Sequence, residues 1–297
     1  MYKKVLVLIL NSGENEFHES IVSLQRQTYK NWRKIVFSNL SNKMAHDSLY
    51  NYIMGHHNEY DLFVKLDADM VMTNNYVLEN IVNYFEKNPN VDQANFAVYD
   101  KMSNQNIMGL LVFTGKAIWE GREENLFVDY TPVTPGKRLL IWGKPSPVAT
   151  HCSNPHLFQV FHYGVHRAMK AIQKNRKRKN FIQSAIQWHL LYRVWKIFME
   201  EKDSKRGIMM LGAYSVWNGD VDNRANEYGN SSLIKSFNNY RNSRSDEVLS
   251  FLLAHWKRIV VLHNWLYILL WPKLSMYKSR CRLRTKYNSY LNLVRRS

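Results

Sequence analysis

The stretch from Tyr60 to Thr73 reads Tyr-Asp-Leu-Phe-Val-Lys-Leu-Asp-Ala-Asp-Met-Val-Met-Thr, and it constrains the rest of the chain most tightly. Leu62 to Leu66 is a short apolar run broken only by Lys65, a pattern that predicts a buried strand. The run ends in two carboxylates, Asp67 and Asp69, separated by one small residue. On extended backbone, residues i and i+2 point the same way, so both carboxylates can face one object at the strand's end. The carboxyl ends of strands are where ligands bind in α/β sheets. Carboxylates forced together repel unless a cation lies between them. The fitting cation is hard and oxygen-loving, Mg2+ or Mn2+, with phosphate oxygens completing its shell. The blander alternative is that the pair only caps a turn, because Asp is common after strands.

The segments around this strand alternate in period. Val5 to Leu10 is a continuous apolar run suited to a strand covered on both faces. Phe17, Ile21 and Leu24 repeat at helical spacing, Trp32 to Phe37 is a second strand, and a helix is expected over Ala45 to Gly55. A further helix is predicted from about Asn75 to Lys87, stopped by Asn88-Pro89, with strands at Val91 to Val98 and Ile107 to Phe113. Strands alternating with helices specify an α/β fold with a mostly parallel sheet. Gly115 to Pro147 reads as loop. Beyond Asn154 the character changes to helical: Phe158 to Gln173, Phe181 to Met199, and an apolar, Trp-bearing helix over Glu247 to Trp271.

The formal net charge of +17 calls for an anionic partner: a phosphate-bearing substrate, anionic lipid or nucleic acid. Positive charge is concentrated in the run at 174–179 and in the tail from 273 to 297. Cys152 and Cys281 are the only cysteines, which excludes a disulfide framework and a multi-cysteine zinc site and fits a reducing cytoplasm. No stretch is long and clean enough to span a bilayer.

Four segments, in order, resemble family 2 inverting glycosyltransferases. Ser23-Leu24-Gln25-Arg26-Gln27-Thr28-Tyr29 is similar to the family's Ser-Leu-x-x-Gln-Thr-Tyr segment. Lys34 to Ser41 resembles the strand and turn that usually end Val-Asp-Asp-Gly-Ser. Leu66-Asp67-Ala68-Asp69 resembles the Asp-x-Asp metal signature. Val128-Asp129, then Gly136, then His151 resemble the Glu-Asp…Gly…His pattern that closes the catalytic domain. The resemblance implies a GT-A (Rossmann-like) catalytic domain over residues 1–155, followed by a mainly α-helical, basic C-terminal region over 156–297 for acceptor or membrane association.

The resemblance also implies roles. Asp69 and His151 would hold a divalent cation, Mn2+ or Mg2+, with Asp67 contacting the ribose or a metal-bound water. Asn11, Ser38 and Asn39 would line the nucleoside of a nucleotide-sugar donor. Ser38 and Asn39 stand where the family usually carries aspartates, which leaves the nucleotide open. Asp129 would be the general base that activates the acceptor hydroxyl, with Glu120, Glu123 and Glu124 as rivals. Lys65 would meet a phosphate or neutralise the acidic pair. The acceptor would be a glycan or lipid-linked molecule, as in lipopolysaccharide and other surface-polysaccharide assembly. The protein would be peripheral on the inner face of the plasma membrane.

Rival chemistry remains open at this point. A zinc cluster is an alternative around His151 and Cys152, with His156, His162 and His166 nearby. Against it, His162 and His166 at i and i+4 lack a Glu-containing zinc motif, and one cysteine is thin ligation. Nucleotidyl or phosphoryl transfer would also use paired carboxylates. A non-enzymatic nucleic-acid-binding role would use the charge, although no recognised nucleic-acid motif is present.

Overall fold

Val5–Asn11 (β1) lies between two parallel neighbours, Trp32–Ser38 (β2) and Leu62–Asp67 (β3). Its unbroken apolar run is explained by what covers it. Alternate side chains enter different cores. Val5, Val7 and Ile9 pack with Leu24 of Phe17–Gln25 (α1) and with the apolar face of Val77–Lys87 (α3). Leu6 and Leu8 pack with Leu49, Tyr50 and Ile53 of Asn42–Gly55 (α2). These positions belong to the computed structural model, which describes residues 3–121, 131–145, 147–173, 181–222 and 227–255.

The sheet continues through Gln105–Thr114 (β6), antiparallel to β3, and Val91–Asp100 (β5), antiparallel to β6. Lys137–Ile141 (β7) and Ala149–His151 (β8) both run parallel to β5, and Met70–Met72 (β4) is antiparallel to β8. The order is β2-β1-β3-β6-β5-β8-β4, with β7 joined to β5 off that path. Four of the seven pairings are parallel. This is the expected class: a Rossmann-like, mostly parallel sheet with helices on both faces and a helical C-terminal region, the GT-A-like arrangement.

The C-terminal region comprises Leu157–Ile172 (α4), Phe181–Glu201 (α5), Ser204–Asn218 (α6), Ser231–Tyr240 (α7) and a helical run over 245–255. These helices share a core of their own, which Met102 and Cys152 of the sheet region enter. α6 has no counterpart among the helices that the sequence pattern predicts. Every residue from Arg206 to Val216 is buried, so the helix shows no apolar stripe to detect. It crosses α4 backbone to backbone. A Cβ on Gly164 would lie 1.8 Å from the Met209 carbonyl oxygen, and one on Gly212 would lie 2.1 Å from that of Phe161.

Other differences are local. β7 falls inside the segment read as loop, and β4 and β8 are three residues each, too short to show a period. Asp69 is not on extended backbone but in the turn between β3 and β4, so the i, i+2 argument does not place its side chain. The run at 174–179, most of the Glu247 to Trp271 helix and the 273–297 tail lie outside the described residues. Among the described residues no helix is long and apolar enough to cross a membrane.

Candidate functional site

Strand register aligns the predicted residues at one edge of the sheet. Asn11 pairs in register with Ser38, and Leu10 with Asp67, so the ends of β2, β1 and β3 finish level. Asn11 Nδ2 donates to Ser38 Oγ at 3.2 Å, and Asn11 Oδ1 accepts from the Gly13 N–H at 3.0 Å. Asn39 follows with φ 58°, a left-handed conformation that Asn tolerates better than most residues. Asn11, Ser38 and Asn39 therefore stand together at the carboxyl edge, where α/β sheets bind ligands.

Asp67 ends β3 and is held by its own strand. Lys65 Nζ lies 2.5 Å from Asp67 Oδ1, and the Lys65 side chain is only 8% exposed. Two positions apart on extended backbone, they share a face. Lys65 thus pairs directly with Asp67.

The second acidic residue belongs to another constellation. The Cys152 N–H donates to the Asp69 carbonyl at 3.0 Å, tying the turn after β3 to the end of β8. Met70 pairs with His151 across β4 and β8, and His151 pairs with Asp100 across β8 and β5. Three strand ends converge, and His151 stands between two carboxylates: Nε2 is 3.1 Å from Asp69 Oδ2 and Nδ1 is 2.8 Å from Asp100 Oδ1. The Cys152 thiol donates to Asp69 Oδ2 at 3.6 Å and lies 3.7 Å from His151 Nε2. Asp69, His151 and Cys152 can offer one ligand atom each to a common ion. His156, His162 and His166 are not in this group: His156 Nδ1 accepts the Gln159 N–H at the start of α4, and His162 packs on Tyr228.

The charges follow from this geometry. Burial pushes the Asp69 carboxyl upward, but the His151 imidazolium outweighs it and holds the carboxyl below its usual range. Burial disfavours charge on His151, and the surrounding acids, Asp69 foremost, reverse that, so its pKa stands well above the ordinary value. Asp69 keeps one atom in reserve: its Oδ1 is buried with no hydrogen-bond partner among the described residues. A buried carboxylate oxygen without a partner is costly, and a bound cation would satisfy it. The oxygen and nitrogen donors of Asp69 and His151 therefore fit a divalent metal ion. The His151 Nδ1–H held by Asp100 is the outer support that orients a ligating imidazole.

The sequence reading missed three participants. Asp100 is buried, and besides His151 it accepts the Ser103 N–H at 3.0 Å, the Ser103 hydroxyl, and the Tyr163 hydroxyl at 3.2 Å. Only the β5–β8 pairing brings it to His151, so no local signal marked it. Glu14, in the loop after β1, has its carboxyl pushed up to about 7, by burial first and then by the charges of Asp69 and Asp67. Tyr228, before α7, is pushed up by burial and then by Glu14 and Asp69, so the helical region also reaches this acidic edge. Of the remaining expectations, Asp129, Glu123 and Glu124 lie outside the described residues, and Glu120 is exposed. Gly136 is placed elsewhere: its N–H donates to buried Asp92 at 2.6 Å.

No family model matches the sequence, and no curated protein matches it either. Solved structures that align with this chain include the mannosyltransferase PcManGT from Pyrobaculum calidifontis, in complex with GDP-Man and Mn2+. It shares 12% identity over 97% of this chain and 88% of that one, at a TM-score of 0.39. TarS 1-349 from S. aureus is similar at 10% identity over 80% of this chain and 91% of that one, at 0.32. The A197 protein from STIV aligns at 13% identity and 0.28, over 40% of this chain, and this chain spans just over half of it, 55%. Likeness this distant leaves the functional argument to the site's own residues.

Proposed function

We propose that this chain is a metal-dependent, inverting glycosyltransferase that moves a sugar from a nucleotide-diphosphate donor to a glycan or lipid-linked acceptor. The supporting observation is the Asp69–His151 couple. It has a buried, unpartnered carboxylate oxygen on one side and a carboxylate-held imidazole on the other.

Asp69 and His151 would hold the cation, His151 through Nε2, while its Nδ1–H donates to Asp100. When bound, a divalent cation of the Mn2+ or Mg2+ type stabilises the charge that develops on the leaving nucleoside diphosphate. Asp67, fixed by Lys65, faces the ribose. Asn11, Ser38 and Asn39 line the nucleoside. Asp129 takes the proton of the acceptor hydroxyl as that oxygen attacks the anomeric carbon from the face opposite the phosphate, so the configuration inverts.

The charge of +17 supports an anionic membrane surface as the place of work, at roughly 1 kcal/mol per Lys or Arg near the lipid. On this reading the enzyme is peripheral on the inner face of the plasma membrane and builds surface polysaccharide.

The test is a thermal-shift screen of UDP-, GDP-, dTDP- and CMP-sugars with and without Mn2+, because a ligand of the native state raises the melting temperature. One nucleotide class should stabilise the wild type in a Mn2+-dependent way and leave Asp69→Ala unmoved. Stabilisation by none of them, or equal stabilisation of Asp69→Ala, overturns the proposal.

A further inference from the structure

We infer that Asp69, His151 and Cys152 form a mixed oxygen, nitrogen and sulfur site that takes a thiophilic divalent ion, Zn2+ by preference, over Mn2+ or Mg2+. The inference rests on the reading above insofar as that reading places a cation between Asp69 and His151. It adds a third protein ligand and a different ion.

Donor spacing carries the argument. Zn2+ binds thiolate at about 2.3 Å and imidazole or carboxylate at about 2.0–2.1 Å in tetrahedral sites, which sets donor atoms about 3.3–3.6 Å apart. The observed separations are 3.1 Å from His151 Nε2 to Asp69 Oδ2, 3.6 Å from Cys152 Sγ to Asp69 Oδ2, and 3.7 Å from Cys152 Sγ to His151 Nε2. The three donors already stand at the spacing of one tetrahedral face, and a substrate oxygen or water would take the fourth corner. That is the pattern of catalytic rather than structural zinc.

The backbone holds the thiol in this position. Cys152 has φ 52°, in the left-handed region, and its N–H is bonded to the Asp69 carbonyl, so the residue after β8 is turned back onto the acid. The side chain is buried, as are His151 and the Asp100 carboxylate behind it. Mn2+ and Mg2+ favour oxygen donors in six-coordinate shells, whereas a thiolate in a three-donor set favours Zn2+. On coordination the Cys152 S–H proton and the His151 Nε2 proton leave to solvent, and the sulfur lone pair forms the new bond.

The test uses the full-length chain stripped of metal by chelator, with Co2+ as the optical probe. Cys281→Ser serves as background so that the second cysteine contributes nothing. Co2+ should produce a near-ultraviolet thiolate charge-transfer band that Zn2+ abolishes by displacement. In the Cys152→Ser, Cys281→Ser chain the band should be absent. There, Zn2+ affinity should fall by more than the roughly 10- to 100-fold that loss of an outer-shell partner costs, while Mn2+ affinity is retained. The band in the Cys281→Ser chain decides the matter even where the double variant fails to fold.

Co2+ bound without that band, or undiminished Zn2+ affinity in the double variant, overturns thiolate ligation and leaves the carboxylate–imidazole site standing. Failure of Co2+, Zn2+ and Mn2+ alike to bind in an Asp69-dependent way removes both this inference and the proposed function.

Discussion

Glu16 and Gln159 stand 143 positions apart in the chain, yet Gln159 Nε2 donates to Glu16 Oε2 at 2.9 Å inside the protein. The other oxygen of Glu16 accepts the Asn154 N–H, also at 2.9 Å. The loop after β1 is thereby fastened to the segment that follows β8 and to the first turn of α4. The acidic edge and the helical region are one construction at this point.

Removing that fastening has a defined cost. Glu16→Ala leaves the buried Gln159 side-chain amide without its acceptor, a loss worth about 1–3 kcal/mol. Urea unfolding should show the loss at unchanged slope. A variant as stable as wild type would mean that this contact contributes nothing net.

The α4–α6 crossing should be still less tolerant. Gly164→Ala or Gly212→Ala drives a methyl group into carbonyl backbone, which flexible side chains cannot relieve, and overpacking of this kind costs about 3 kcal/mol. Gly55, the exposed last residue of α2, has open space at its Cβ, so Gly55→Ala should be neutral or gain up to about 1 kcal/mol. Comparable melting temperatures for Gly164→Ala and Gly55→Ala would contradict the packing.

Asp100 acts through His151, as a positioning residue. Asp100→Asn keeps the size but removes the charge that holds Nδ1–H. Calorimetry should then report a metal affinity about 10- to 100-fold weaker, with the unfolding midpoint as the check on folding. Undiminished affinity in a folded variant would show that His151 needs no such support.

Glu14 gives a pH signature. Its carboxyl is raised from an ordinary 4.5 to about 7 in the folded, metal-free protein. A raised carboxyl pKa means that folding favours the protonated form. Its contribution is complete below pH 4.5 and is lost as the pH rises towards 7. Chelator-treated wild type should therefore lose stability across that window relative to Glu14→Gln. Added Mn2+ should shrink the difference, because a cation relieves the repulsion from Asp69 and Asp67. Parallel pH profiles for the two proteins would place Glu14 away from the acids.

What the sequence determined by itself was everything written in local period and short spacing. The alternation of Val5 to Leu10 between two cores, the amphipathic α3 and the change to helix after Asn154 are consequences of side-chain pattern, and each appears in the fold within a few residues. In the sequence Asn11 and Ser38 joined Asp67 only through the family resemblance; it is the register of β2, β1 and β3 that puts the three at one sheet edge. What only the tertiary structure decided was partnership. Asp69 and His151 are 82 positions apart, and Asp100 comes from a third strand. Nothing local brings them together; the pairing of β4 and β5 with β8 does. The same holds for α6, whose burial on every side erased the period that would have announced it. Local pattern fixes an element because its cause lies within a turn or two of chain. A site made of strand ends has its cause in long-range hydrogen bonds, and no window of sequence contains them.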